Sequence, residues 1–220
     1  MPMPATTLPQ IARGSTVSTC RASEVEAMPV RMLDPHGFRR MPWKNGGGET
    51  IEMLAHPEGA DLATFDWRIS MARVASDGPF SRFDGIDRTL SVLEGGRLVL
   101  DFGGTRTVLD PLAEPYPFAG DAGVTGFVPD GPILDLNVMT RRGRYSHRVL
   151  RIADGQTATA GPPRIIAFAH RGETWLDQDG TRFAIPEGHA VLVADGGLAR
   201  LTAAPAGIAY LIEIISAGAA

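Results

Sequence analysis

The stretch Phe65-Asp66-Trp67-Arg68-Ile69-Ser70-Met71-Ala72-Arg73-Val74 alternates with a period of two. In an extended strand that period sends Phe65, Trp67, Ile69 and Met71 to one face and Asp66, Arg68, Ser70 and Ala72 to the other. The first face is apolar and suits a core. The second is polar in its first half, which predicts a strand that turns charge and hydroxyl toward a cavity. Outward from it the same texture recurs in Val30–Leu33, Thr50–Ala55, Val124–Val128 and Ile133–Met139, the last with Asp135, Asn137 and Met139 on one face. Thr89–Leu93 and Arg97–Phe102, around Glu94-Gly95-Gly96, read as a hairpin, and Pro111, Pro115 and Pro117 predict an irregular segment. Beyond Arg144 the strands are short, apolar and turn-bounded, with Asp179-Gly180 as a hairpin turn. No stretch carries a convincing amphipathic helix. The predicted class is all-β, an antiparallel barrel or sandwich.

Composition agrees with that class. The chain has 220 residues, with Gly 26 and Pro 17, a usage that suits many short strands joined by turns. A formal net charge of −4 and a pI near 5.7 argue against direct nucleic-acid binding, which needs a basic face. The single cysteine, Cys20, excludes an intramolecular disulfide and suits a reducing cytoplasm. Residues 1–27 are polar and weakly patterned, so they read as a poorly ordered leader; with no apolar h-region and no long apolar run, neither a signal peptide nor a membrane span is expected.

A second stretch carries the chemistry: Met41-Pro42-Trp43-Lys44-Asn45-Gly46-Gly47-Gly48-Glu49-Thr50. Pro42 interrupts regular structure, and the glycines leave bare backbone beside an aromatic ring, an ammonium and a carboxamide. One reading is a loop that receives a small polar ligand. The other is a tight turn with Trp43 as a core plug.

The motif Trp43-Lys44-Asn45-Gly46-Gly47-Gly48 with Thr50 resembles the signature of the HutD/Ves family of bacterial proteins. The resemblance continues in order through Trp67-Arg68-Ile69-Ser70, Asp77-Gly78-Pro79-Phe80-Ser81, Gly85-Ile86-Asp87-Arg88, Phe118-Ala119-Gly120-Asp121 and Asp135-Leu136-Asn137-Val138-Met139 with Arg141-Arg142. It is dense over residues 30–150 and loose elsewhere. It implies a double cupin barrel of the jelly-roll kind: a first barrel over 28–144 that holds the ligand pocket, and a second over 145–220 completed by strand exchange. It also implies a regulatory role in histidine utilisation, responding to an acidic intermediate such as N-formylglutamate. Cupin analogy adds an edge-paired homodimer.

Many cupins bind a metal through G-x5-H-x-H-x3–4-E-x6-G. With Gly95 as the closing glycine, Arg88 falls at the acidic position, and the histidine positions fall on Ser81 and Phe83, or on Arg82 and Asp84. None replaces an imidazole pair, and arginine repels a cation. His36, His56, His147, His170 and His189 are scattered. No metal and no cofactor are therefore expected. In their place stands an anion-binding set. Arg68, Arg88, Arg141 and Arg142 offer forks that fit carboxylates, Lys44 adds a point charge, and Asn45, Thr50, Ser70 and Asn137 can orient an amide or formyl group. The bland alternative pairs these arginines with Asp77, Asp87, Asp121 and Asp135. The ligand-binding candidates are Trp43, Lys44, Asn45, Gly46, Gly47, Thr50, Arg68, Ser70, Arg88 and Asn137, with no catalytic residue. Two rival readings stay open: a metal-independent epimerase or lyase using Lys44, Asp87 or Asp121, and a partner-binding protein with a vestigial pocket. The missing His-x-His makes a direct prediction. Elemental analysis of purified protein should find no stoichiometric transition metal, and chelation should leave its melting temperature unchanged; about one zinc, iron or manganese per chain would refute this.

Overall fold

Strands bury their backbone by pairing, and the strands of the described residues pair antiparallel. The computed structural model describes residues 30–43, 46–161, 164–194 and 197–218. Apart from a short 3-10 turn at Pro35–Gly37, the regular elements there are strands, gathered in four sheets. One six-stranded sheet runs Arg39–Pro42, Gly48–His56, Trp67–Val74, Ile133–Arg141, Ile86–Gly95, Tyr116–Ala119. A four-stranded sheet of Gly78–Pro79, Thr125–Phe127, Leu98–Asp101 and Arg106–Leu109 faces it. The C-terminal half repeats the arrangement. Its five-stranded sheet runs Val30–Leu33, Ala190–Ala194, Arg164–Arg171, Ile208–Ser216, Tyr145–Ala153, and its four-stranded sheet Thr157–Ala160, Ala199–Ala203, Thr174–Gln178, Thr181–Ile185. No helix among the described residues is long and apolar enough to cross a membrane.

Alternation decides where the cores sit. In Trp67–Val74, Trp67, Ile69 and Met71 join Leu134, Leu136 and Val138 in a core shared with Ile166, Phe168, Tyr210, Ile212 and Ile214 of the five-stranded sheet. The intervening Ala72 and Val74 face the other way, into a core with Leu90, Val92, Leu98 and Leu100. A third core fills the C-terminal half with Ile165, Ala167, Leu176, Val191, Leu201 and Leu211. The four sheets thus stack, and the six-stranded one is shared between two cores. Burying a large apolar side chain stabilises by roughly 1.5–3 kcal/mol. The six side chains just named from the six-stranded sheet therefore contribute on the order of 10 kcal/mol, comparable to the whole stability of a domain. The two halves share this core.

Two local expectations are corrected. Ile86–Gly95 and Leu98–Asp101 are not paired with each other but belong to facing sheets. Gly95, at φ 93°, makes the crossing; a Cβ there would lie 2.4 Å from the Pro132 carbonyl oxygen. The proline-rich segment contains an ordered strand, Tyr116–Ala119, because Pro117 sits on a sheet edge where no amide is required. Val30–Leu33, which the boundary at residue 28 groups with the first barrel, pairs with Ala190–Val193 at the edge of the C-terminal sheet. The leader, residues 1–27, lies outside the described residues.

Polar contacts join the halves at two histidines: His170 Nε2 lies 3.1 Å from the Leu93 carbonyl oxygen, and His147 bridges two threonines. His147 reaches Thr140 Oγ1 through Nδ1 (2.7 Å) and Thr89 Oγ1 through Nε2 (2.8 Å). Burial holds its pKa down to about 4, against a smaller upward pull from Asp87. A histidine folded neutral contributes stability that is present above its unfolded value near 6.5 and lost as pH falls toward 4. At about 1.4 kcal/mol per unit, discounted for partial exposure, this amounts to about 2 kcal/mol. In urea titrations His147→Gln should be less stable than wild type at pH 7, and that gap should close between pH 6.5 and 4.5. A gap that stays constant with pH would show that His147 is not held neutral.

Candidate functional site

The polar faces foreseen from alternation converge. Arg68 and Ser70, Asp135 and Asn137, and Arg88 lie on neighbouring strands of the six-stranded sheet, in register Asn137↔Ser70 and Met139↔Arg68, and Met139↔Arg88 on the other side. They line a cavity of about 670 Å³ between this sheet and the four-stranded sheet facing it, together with Trp43, Thr50, Phe80 and Phe83. The cavity lies in the N-terminal half.

Its two arginines are held differently. Arg68 and Arg88 are each only 5% exposed. Arg68 donates from Nε to Glu52 Oε2 at 2.6 Å and from an Nη to Ser70 Oγ at 3.2 Å, so its charge is matched by a carboxylate in contact. Arg88 has no carboxylate in contact among the described residues. It donates to the Asn137 Oδ1 and, at 3.4 Å, to the Ser81 carbonyl oxygen, and its Nε lacks a partner. Its guanidinium carbon lies 5.1, 5.4 and 5.6 Å from the ring centres of Phe118, Phe80 and Phe83. The ring faces partly replace lost hydration. Burial, with Arg68 adding to it against the pull of Asp135, lowers its pKa to about 10, which leaves it charged at neutral pH.

Behind Arg88 stands Asp135, fully buried. Its Oδ1 accepts from Asn137 Nδ2, while its Oδ2 has no partner. Burial is the largest influence and pushes its pKa up to about 7, against the opposing pull of Arg88 and of its hydrogen bonds. Trp43 forms part of the wall: its Nε1 donates to Thr50 Oγ1 at 2.9 Å. The ring is pressed over Gly48, where a Cβ would lie 3.1 Å from two ring carbons and 2.1 Å from the Arg73 carbonyl oxygen.

The structure brings together six of the candidates, Trp43, Thr50, Arg68, Ser70, Arg88 and Asn137. Gly46 and Gly47 are near but are not among the lining residues; Gly46 donates to the Trp43 carbonyl and Gly47 accepts from Ala75. Lys44 and Asn45 lie outside the described residues. Arg141 and Arg142 serve the scaffold. Arg141 donates to the Ala63 and Phe65 carbonyls, and Arg142 bridges Asp87 and Asp121. Two acid–base groups of the rival enzyme reading are thereby committed away from the cavity. Sequence reasoning missed Glu52, Phe83 and the inward role of Asp135. The alternation Asp135-x-Asn137-x-Met139 carried the last of these, and Glu52 sits at Thr50 + 2 on the same alternating strand. Among the described residues no cluster of three or more His, Cys, Asp or Glu is placed to hold a metal.

Known proteins share this architecture. The HutD family model matches residues 36–211. Protein Ves of Citrobacter koseri is 36% identical over 170 residues, 69% of this chain and 87% of that one. A conserved protein of unknown function from Pseudomonas aeruginosa PAO1 superposes with a TM-score of 0.77 at 30% identity, covering 85% of this chain and 99% of that one. HutD from Pseudomonas fluorescens SBW25 gives 0.72 at 29% identity, covering 85% and 98%. The fold is cupin-like. The family match takes in every lining residue of the cavity and extends across both halves: the chain belongs to the HutD family, whose name ties it to histidine utilisation.

Proposed function

We propose that this chain is a non-enzymatic cupin of the cytoplasm that binds an acidic intermediate of histidine catabolism, of the N-formylglutamate kind, and so modulates histidine utilisation. The observation that carries the reading is the contrast between the two cavity arginines. Arg68 is neutralised by Glu52, whereas Arg88 is buried, charged and without a carboxylate in contact among the described residues. A buried cation held this way favours an anion that brings its own oxygens. Asn137 and Ser70 beside it suit the amide or formyl end of such a ligand, and Trp43, Phe80 and Phe83 suit its carbon frame.

Thermal shift tests the reading. A ligand bound only by the folded state stabilises by RT ln(1 + [L]/Kd), about 2.7 kcal/mol at a hundredfold excess over Kd. For a chain of this size that is roughly a 5–10 °C rise in melting temperature. Arg88→Ala should weaken binding roughly ten- to a hundredfold through loss of a charge-assisted contact of about 1.5–3 kcal/mol. Arg88→Lys should recover only part, since an ammonium lacks the paired fork. Glutamine should bind worse than the formylated acid. If N-formylglutamate, urocanate and glutamate at millimolar concentration all leave the wild-type transition unmoved, the sensor reading fails; if the ligand is consumed, the protein is an enzyme.

A further inference from the structure

We propose that a carboxylate ligand enters this cavity together with a proton, which Asp135 takes up, and that Asn137 couples that protonation to the ligand's contact with Arg88. The inference rests on the ligand-binding reading above and specifies how the site is regulated.

The chain of contacts fixes its own direction. A guanidinium only donates, so Asn137 must present its amide oxygen to Arg88. That leaves the Asn137 NH2 pointing at Asp135, whose Oδ1 must therefore be an acceptor. The Ala72 amide also acts on this carboxylate, and of its two oxygens Oδ2, without a hydrogen-bond partner, is the one open to a proton. Both ends of the relay are thus incompletely satisfied while buried, Arg88 at Nε and Asp135 at Oδ2. Each unmatched buried group raises the energy of the site until ligand or proton supplies what is missing.

Charge counting gives the coupling. The charged residues that line the cavity with Asp135 are Arg88 on Ile86–Gly95, Arg68 on Trp67–Val74 and Asp77 ahead of Gly78–Pro79; the Val128 amide occupies Asp77 Oδ1, and Glu52 on Gly48–His56 pairs with Arg68. Arg68 and Glu52 cancel. In the ligand-free protein an ionised Asp135 balances Arg88 through Asn137. When a ligand carboxylate reaches Arg88, one guanidinium faces two anions in a desolvated wall. Like charges sharing a site raise the affinity of one of them for a proton. The ligand keeps its charge because it makes the direct contact, so a solvent proton binds Asp135 Oδ2. Asp135 is a positioning residue. The value near 7 already set by burial puts the exchange in the physiological range.

Calorimetry of the full chain with N-formylglutamate, urocanate and glutamate, at pH 8 in phosphate and in Tris, counts protons from the difference in apparent enthalpy. For whichever acid binds, wild type should take up close to one proton per ligand, and its affinity should fall by up to tenfold per pH unit above 7. Asp135→Asn keeps the acceptor for Asn137 but cannot titrate. It should bind without proton uptake and with no pH dependence from 6.5 to 8.5, which a merely structural role would not produce. Binding by wild type with no proton uptake overturns the coupling, even should Asp135→Asn fail to fold, and leaves the sensor reading intact. Equal uptake in both proteins also overturns it, by moving the proton elsewhere. Binding of none of the three acids overturns the sensor reading and the coupling with it.

Discussion

Arginine cannot escape burial by losing its proton at neutral pH, so a buried guanidinium dictates what surrounds it. Arg88 imposes that constraint here. Three phenyl rings offer their faces, a carbonyl and an amide oxygen accept its hydrogens, and the nearest negative charge is kept one residue away behind Asn137. Arg68 shows the alternative solution on the adjacent strand, a carboxylate in direct contact. Had both arginines been paired like Arg68, the cavity wall would be electrically closed. The asymmetry makes one position in the wall anion-seeking and leaves the other as scaffold.

The sheet that carries these groups owes its stability to its opposite face. A cavity lined by charge contributes little burial of its own, and a two-layer barrel with such an interior would be marginal. The strand Trp67–Val74 resolves this by alternation: Arg68 and Ser70 face the cavity, while Trp67, Ile69 and Met71 are clamped against Phe168, Tyr210 and Ile212. The C-terminal half, whose interior is filled by Ile165, Ala167, Leu176 and Leu201, acts as the anchor. One half is thereby free to hold polar groups because the other is packed with apolar ones.

How much of this was legible depended on the range of the signal. The period of two in Trp67–Val74 and in Ile133–Met139 is local and placed Trp67, Ile69 and Met71 on the core face and Arg68, Ser70, Asp135, Asn137 and Met139 on the cavity face; Phe65, ahead of the strand, escapes the pattern and packs with Ile86 and Met139 instead. The partners of strands are a long-range matter, and there local reading failed. Glu94-Gly95-Gly96 has the composition of a hairpin turn, yet Gly95 crosses between sheets because the Pro132 carbonyl occupies the space a side chain would need. Arg141 and Arg142 are as suited to carboxylates as Arg68 and Arg88, and only the register shows that they fall past the end of the cavity, on the carbonyls of Ala63 and Phe65 and on Asp87 and Asp121. Asp135 was visible as a face-sharer of Asn137, but its burial was not, because a carboxylate is rarely sunk without a partner in direct contact.

The same alternation links the cavity to the rest of the molecule. Arg88 and Thr89 are consecutive on one strand, as are Met139 and Thr140 on the next; the first of each pair lines the cavity, and the second meets His147 of the C-terminal half. A β-strand is stiff along its length, and packed layers respond to displacement by discrete repacking rather than gradual yielding. Thr89 follows Arg88 directly, and the imidazole it meets has two hydroxyl partners and no spare ones. The hydrogen-bonded trio of Thr89, Thr140 and His147 is a polar break in a largely apolar interface, where the strands that line the cavity meet directional contacts rather than interchangeable apolar ones.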